Sequence, residues 1–233
     1  DQPHLAVVKV PDARVDALAD HYKPKKITHA ELEFLDLPGF DLSDEASRAR
    51  ARTHWTAMRQ SDMLVLVTRS FKDDTVPEYR NRIDPVADAE EIKTELLFAD
   101  LDQVTSRIEK LEASVKKLTV RRDEQLKELE LMKRLLEALE NEKSVADAVK
   151  NDTEARLLRS FAFMSQKPLL VVLNCDEGDM GSPQEELAGL PCIKLSARIE
   201  QEIAQLPPED RSVFLEDLGL KESARDRLIR ACY

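Results

Sequence analysis

Leu169-Leu170-Val171-Val172-Leu173-Asn174-Cys175-Asp176-Glu177 is the stretch that decides the fold. An apolar run from Pro168 to Leu173 that stops at a cluster of polar residues is the pattern of a strand covered on both faces, as in a parallel sheet with helices on each side. Working outward, Met63 to Val67 is a second continuous apolar run and Pro191 to Leu195 a shorter third. Toward the N-terminus, Ala6 to Val10 reads as a strand stopped by Pro11-Asp12, and Glu31 to Leu35 alternates as a strand should before entering Asp36-Leu37-Pro38-Gly39. Asp12 to Tyr22 carries Val15, Leu18 and Ala19 at helical spacing, with Asp12 as N-cap and an end before Pro24. A helical stretch with Trp55 and Met58 separates the Glu31 and Met63 strands, which reads as the βαβ unit of a parallel sheet. Helical patterns from Glu200 to Leu206, Arg211 to Leu218 with Gly219 as C-cap, and Ser223 to Cys232 close the chain.

Between Val86 and Lys167 there is neither Gly nor Pro. Leu97, Leu101, Val104, Ile108, Leu111, Val115 and Leu118 alternate steps of four and three, the seam of a coiled coil, and Leu126, Leu129, Met132, Leu136 and Leu139 follow in the same style. Two seams predict either an antiparallel hairpin that turns between Thr119 and Asp123 or one unbroken rod that pairs with a second copy. Loss of phase near Arg121 favours the hairpin. The expected organisation is an α/β domain with a mostly parallel sheet, residues 1–85 and 168–233, interrupted by an antiparallel helical coiled-coil arm, residues 86–167.

Composition agrees. The 233 residues are 42% hydrophobic, enough for a sizeable core, while the 35% charged fraction and only five glycines predict long exposed helix. A net charge of −11 argues against a surface that binds nucleic acid throughout. Cys175, Cys192 and Cys232 show no CxxC spacing, which fits reduced thiols in the cytoplasm. No run approaches the roughly 18 apolar residues of a membrane span, so no membrane partner is expected. The first residue is Asp1, so a motif missing upstream carries no weight.

In an open parallel sheet, ligands sit beyond the C-terminal ends of the strands. Three strand ends there carry Asp36-x-x-Gly39, Asn174-Cys175-Asp176-Glu177 and Ser196-Ala197. Taken singly, the first is an ordinary turn with Pro38 preset for its second position. Taken in this order, the three predict a nucleotide site. Asp36 would hold Mg²⁺ through water and the Gly39 amide would face a γ-phosphate. Asn174 to Glu177 resembles the base-recognition motif of GTPases, usually NKxD, with Glu for Asp and Cys175 for Lys. A carboxylate one methylene longer and the loss of a Lys stem over the base plane predict relaxed guanine specificity.

On these residues the chain resembles the YchF type of Obg-related nucleoside-triphosphatases, whose NxxE motif accompanies a preference for ATP over GTP. The resemblance extends through Val10-Pro11-Asp12-Ala13-Arg14, Lys23-Pro24-Lys25-Lys26, Ile83-Asp84-Pro85, Ala99-Asp100-Leu101, Glu216 to Gly219, and Arg227 to Tyr233. It implies a P-loop NTPase fold, Mg²⁺ and ATP (or GTP) as ligands, slow hydrolysis, and association with ribosomes. It also implies a P-loop just upstream of Asp1 and a small C-terminal TGS domain after Tyr233.

The chain departs from the family where a glycine-rich stretch should follow DxxG. Phe40 to Trp55 contains no glycine and reads as charged helix, which puts switching by a mobile phosphate-sensing loop in doubt. Phe40 stands where many small GTPases have a catalytic Gln, and a phenyl ring cannot orient water. His54 reads as a packing residue, and no catalytic residue is nominated. Lys116, Lys117, Arg121 and Arg122 cluster at the expected tip of the arm, suited either to a solvated helix end or to RNA phosphates on a ribosome. A degenerate, non-hydrolysing scaffold that binds proteins through its coiled coil is the competing expectation.

Overall fold

The computed structural model describes residues 3–117, 120–143, 145–180, 184–220 and 222–233. It divides into two compact units, one of Asp1–His54, Val65–Pro85 and Leu170–Tyr233, the other of Trp55–Leu64 and Val86–Leu169.

In the first unit, β1 (His4–Lys9) and β2 (Glu31–Asp36) pair antiparallel, in register from His4 opposite Asp36 to Lys9 opposite Glu31. Helix α1 (Ala13–Tyr22) connects them. The Asp12 carboxylate caps it by accepting from the Arg14 amide at 2.9 Å, and the Arg14 side chain holds that carboxyl down at about 2. Lys23 ends the helix in the left-handed region at φ 44°. Two short helices follow, α2 (Glu45–Arg52), capped by Asp44, and α3 (Trp55–Gln60), which belongs to the second unit.

The main sheet holds β3 (Leu64–Arg69), β4 (Leu169–Asn174), β5 (Glu186–Leu187) and β6 (Leu190–Leu195) in the order β3-β4-β6-β5. β4 and β6 run parallel, from Val171 opposite Cys192 to Asn174 opposite Leu195. β3 runs alongside β4 in the same sense: the Leu64 amide donates to Pro168 and the Ser70 amide to Asn174. The apolar runs read from sequence account for these three strands, but β3 stands at the end of this order with Val67 exposed, so its run does not mark a strand covered on both faces. β2 and β3 are not neighbours, so the expected βαβ pairing of the two is absent: β2 spends its ladder on β1 instead. β5 is an antiparallel addition, joined to β6 by Ala188-Gly189, both at positive φ, as the tight hairpin turn requires. Helices α7 (Ala197–Gln205), α8 (Pro208–Asp217) and α9 (Ala224–Cys232) close the chain. Val172, Leu195 and Ala224, with Val65 and Leu228, form a buried cluster that packs α9 on the sheet.

The second unit is built on α4 (Pro85–Ser114) and α5 (Arg122–Glu140). Pro85 opens α4, where its missing N–H costs no helical bond. Arg107 reaches Glu128 with two hydrogen bonds, 2.7 and 2.9 Å, Glu112 meets Lys133 at 2.6 Å, and Ser114 meets Gln125 at 3.2 Å. From Arg107–Glu128 to Ser114–Gln125 the contacts advance along α4 and retreat along α5, which makes the pair antiparallel. α4 ends at Ser114 and α5 begins at Arg122; Leu118 and Thr119 of the expected seam and turn lie outside the described residues. Val104, Ile108, Leu111, Leu129, Met132 and Leu139 are buried as their spacing predicts, whereas Leu126 is exposed. Leu131 and Leu135 join the core instead, because α5 also packs against Val145, Leu158 of α6 (Asp152–Arg159) and Phe163. Each such side chain contributes on the order of 1.5–3 kcal/mol by leaving water.

Asp100 ties the base of this unit together. Fully buried at 0% exposure, it accepts from Arg59 of α3 at 3.0 Å and from the backbone amides of Met164 and Ser165 at 3.0 and 2.7 Å. The Arg59 guanidinium also donates to Ala99. A buried carboxylate with this many donors is satisfied, as burial of charge demands.

Candidate functional site

Because β4 and β6 are parallel neighbours, their C-terminal ends open on the same edge of the sheet. Asn174 is the last residue of β4, and Ser196 is the N-cap of α7, immediately after β6. The Asn174 side-chain oxygen accepts from the Ala197 amide at 2.9 Å. That amide is one of the unpaired donors at a helix start, and the Ser196 hydroxyl makes no capping bond of its own. Asn174 thus caps α7 from the neighbouring strand and locks the two loops into one surface.

Cys175 does not stand where a Lys would cover a base. It is 2% exposed, its amide and its Sγ both point at the Leu195 carbonyl, and burial pushes its thiol above the ordinary value. Ser196 is equally buried, whereas Ala197 is exposed. The Asp176 carboxylate accepts from the Lys72 amide at 3.2 Å, which fastens the loop after β3 to the loop after β4. That loop is itself ordered by Arg69, whose guanidinium donates to the carbonyls of Phe71, Asp73, Val76 and Pro77.

Glu177 opens a single helical turn and is half exposed, its carboxylate 3.2 Å from Arg198 Nε. Arg198 is also 3.9 Å from Glu202 one turn along α7. Sequence reading missed this cation. Its signal was present: a positive charge in the first turn of a helix opposes the dipole and needs acidic neighbours.

Asp36 and Gly39 lie at and after the end of the other sheet of the unit, that of β1 and β2. Asp36 ends β2, exposed, and Gly39 is exposed with nothing near the position its side chain would take. The structure brings Asn174, Cys175, Glu177, Ser196 and Ala197 together; no described hydrogen bond joins Asp36 or Gly39 to them. After Gly39, the segment expected to be helical is so only from Glu45 to Arg52, and Phe40 to Asp44 are not helical. The Asp41 carboxylate accepts from the Ser43 amide and the Ser47 hydroxyl, Leu42 is buried, and its carbonyl accepts from Arg48 and Arg80. Phe40 lies 6.3 Å, centroid to centroid, from the His54 ring. Among the described residues no group of three or more His, Cys, Asp or Glu side chains could hold a metal ion, and no helix is long and apolar enough to cross a membrane.

No protein-family model matches the chain. Among curated proteins, it is 32% identical over 243 residues to the ribosome-binding ATPase YchF of Bacillus subtilis, covering 99% of the chain and 65% of that protein. The protein of the same name from Haemophilus influenzae is also 32% identical, over 100% of the chain and 65% of its own length. Among solved structures, the YchF GTPase of Schizosaccharomyces pombe superposes with a TM-score of 0.78 at 22% identity, over all of this chain and 65% of that one, which establishes the fold. The chain spans just under two thirds of the length of these relatives, and over its whole length it is a homologue of the YchF proteins.

Proposed function

We propose that the chain is the larger part of a nucleotide-binding protein of translation, cytoplasmic and ribosome-associated, that takes ATP in preference to GTP and hydrolyses it slowly. The observation that carries the reading is the 2.9 Å bond from the Ala197 amide to Asn174, which joins the two loops expected to hold a purine at the ends of parallel strands. The curated relatives are named ribosome-binding ATPases, which supports both the nucleotide and the partner. In this reading Asn174, Glu177 and the backbone of Ser196-Ala197 surround the base, and Cys175 supports the loop from within. Asp36 and Gly39 serve the phosphate end. A single exposed carboxylate, with no acidic cluster around it, suits a Mg²⁺ held mainly by nucleotide phosphates and water. Phe40 itself has no group to orient water, which supports slow hydrolysis. The basic residues Lys116, Lys117, Arg121 and Arg122 near the chain reversal supply charges for ribosomal RNA.

Calorimetry of the full-length protein with Mg-ATP tests this. Asn174→Ala should weaken binding by about tenfold or more, the cost of leaving the Ala197 amide unpaired and the loops unjoined. Equal affinity in the two proteins would place the nucleotide elsewhere.

A further inference from the structure

We infer that Arg198 is a specificity-determining residue, which biases the site toward adenine by occupying one side of the Glu177 carboxylate. This rests on the nucleotide reading above. Glu177 and Arg198 lie on separate loops, after β4 and after β6, and meet at 3.2 Å through Glu177 Oε1 and Arg198 Nε. The cation occupies the second residue of α7, where the helix dipole disfavours it, so it is held there by Glu177 and Glu202 rather than by the helix.

The purine edges differ in what they ask of such a pair. Guanine presents two adjacent donors, N1–H and the N2 amino group, and needs both oxygens of one carboxylate. Adenine presents one amino donor at N6 beside an acceptor at N1. With the Arg198 cation beside Oε1, the other oxygen of Glu177 is the freer acceptor, which suits the single amino donor of adenine better than the paired donors of guanine. The guanidinium has further N–H groups to offer the adenine N1 acceptor, where guanine carries an N1–H donor instead. A site that leaves polar groups of the wrong base unpaired discriminates strongly. The pair is solvent-exposed, with Arg198 at 78% and Glu177 at 52%, so the effect is moderate.

Competition between Mg-ATP and Mg-GTP for the full-length protein reads this directly. Arg198→Ala should move the affinity ratio toward GTP by about three- to tenfold, and Arg198→Lys, which keeps a cation, by less than about twofold. In a Glu177→Gln background the Arg198→Ala shift should vanish, because the cation acts through that carboxylate. An unchanged ratio in Arg198→Ala, or the same shift with and without Glu177, overturns the inference while leaving the nucleotide site in place. Failure of the unaltered protein to bind either nucleotide overturns the site reading itself, and this inference with it.

Discussion

Cys175 occupies the second position of its motif as a packing residue. Its backbone and sulfur are both engaged with Leu195, and its side chain is out of water. Restoring the Lys of the common GTPase motif would therefore bury an ammonium beside an apolar strand end. We expect Cys175→Lys to lower unfolding stability by about 2–5 kcal/mol, measured as the urea midpoint, against about 1 kcal/mol for Cys175→Ala. Equal midpoints for the Lys variant and the parent would show that this side chain can turn to solvent and cover a base. That Asn174 and Glu177 stand at and just after a strand end was legible in the sequence. Which way Cys175 faces was not: a residue just past a strand has no periodicity to place it. Arg198 was passed over for a related reason, because its meaning lies in a partner twenty-one positions away that only the parallel pairing of β4 and β6 brings close.

At the scale of elements, β1, β2, β3, β4 and β6 were all legible as strands, by alternation or by apolar runs. β3, β4 and β6 declare themselves by continuous apolar runs, while β5, two residues long, has too little sequence to declare anything. Alternation in β2 announced a strand but not its neighbour, because a period of two fixes faces and leaves pairing open; hence β2 lies with β1 rather than beside β3. The seams of α4 and α5 were legible from their spacing, but the burial of Leu131 and Leu135 was not, since it comes from α6 and Phe163 packing on a second side of α5. Asp100 is the point where that unit depends on a single polar residue: it joins α4 to α3 and to the chain before β4. Asp100→Ala leaves Arg59 and two backbone amides without their acceptor and should cost about 3–5 kcal/mol in urea unfolding. A loss below about 1 kcal/mol would mean that the buried carboxylate is not what holds these elements.

For the whole molecule, sequence and fold lead to the same relatives from independent directions: 32% identity to bacterial proteins named ATPases, and a TM-score of 0.78 to a yeast protein named a GTPase. The loop proposed to read the base, Asn174-Cys175-Asp176-Glu177, is joined to α7 through Asn174 and Arg198. The central claim is that a purine nucleotide binds on the edge made by the ends of β4 and β6. Amide hydrogen exchange of the full-length protein, followed by mass spectrometry with and without Mg-ATP, tests it most directly. The account predicts that ATP slows exchange in peptides covering 174–179 and 196–200 together, with GTP doing so only at higher concentration. Nucleotide binding with both peptides unchanged, and protection confined to other parts of the chain, would contradict it.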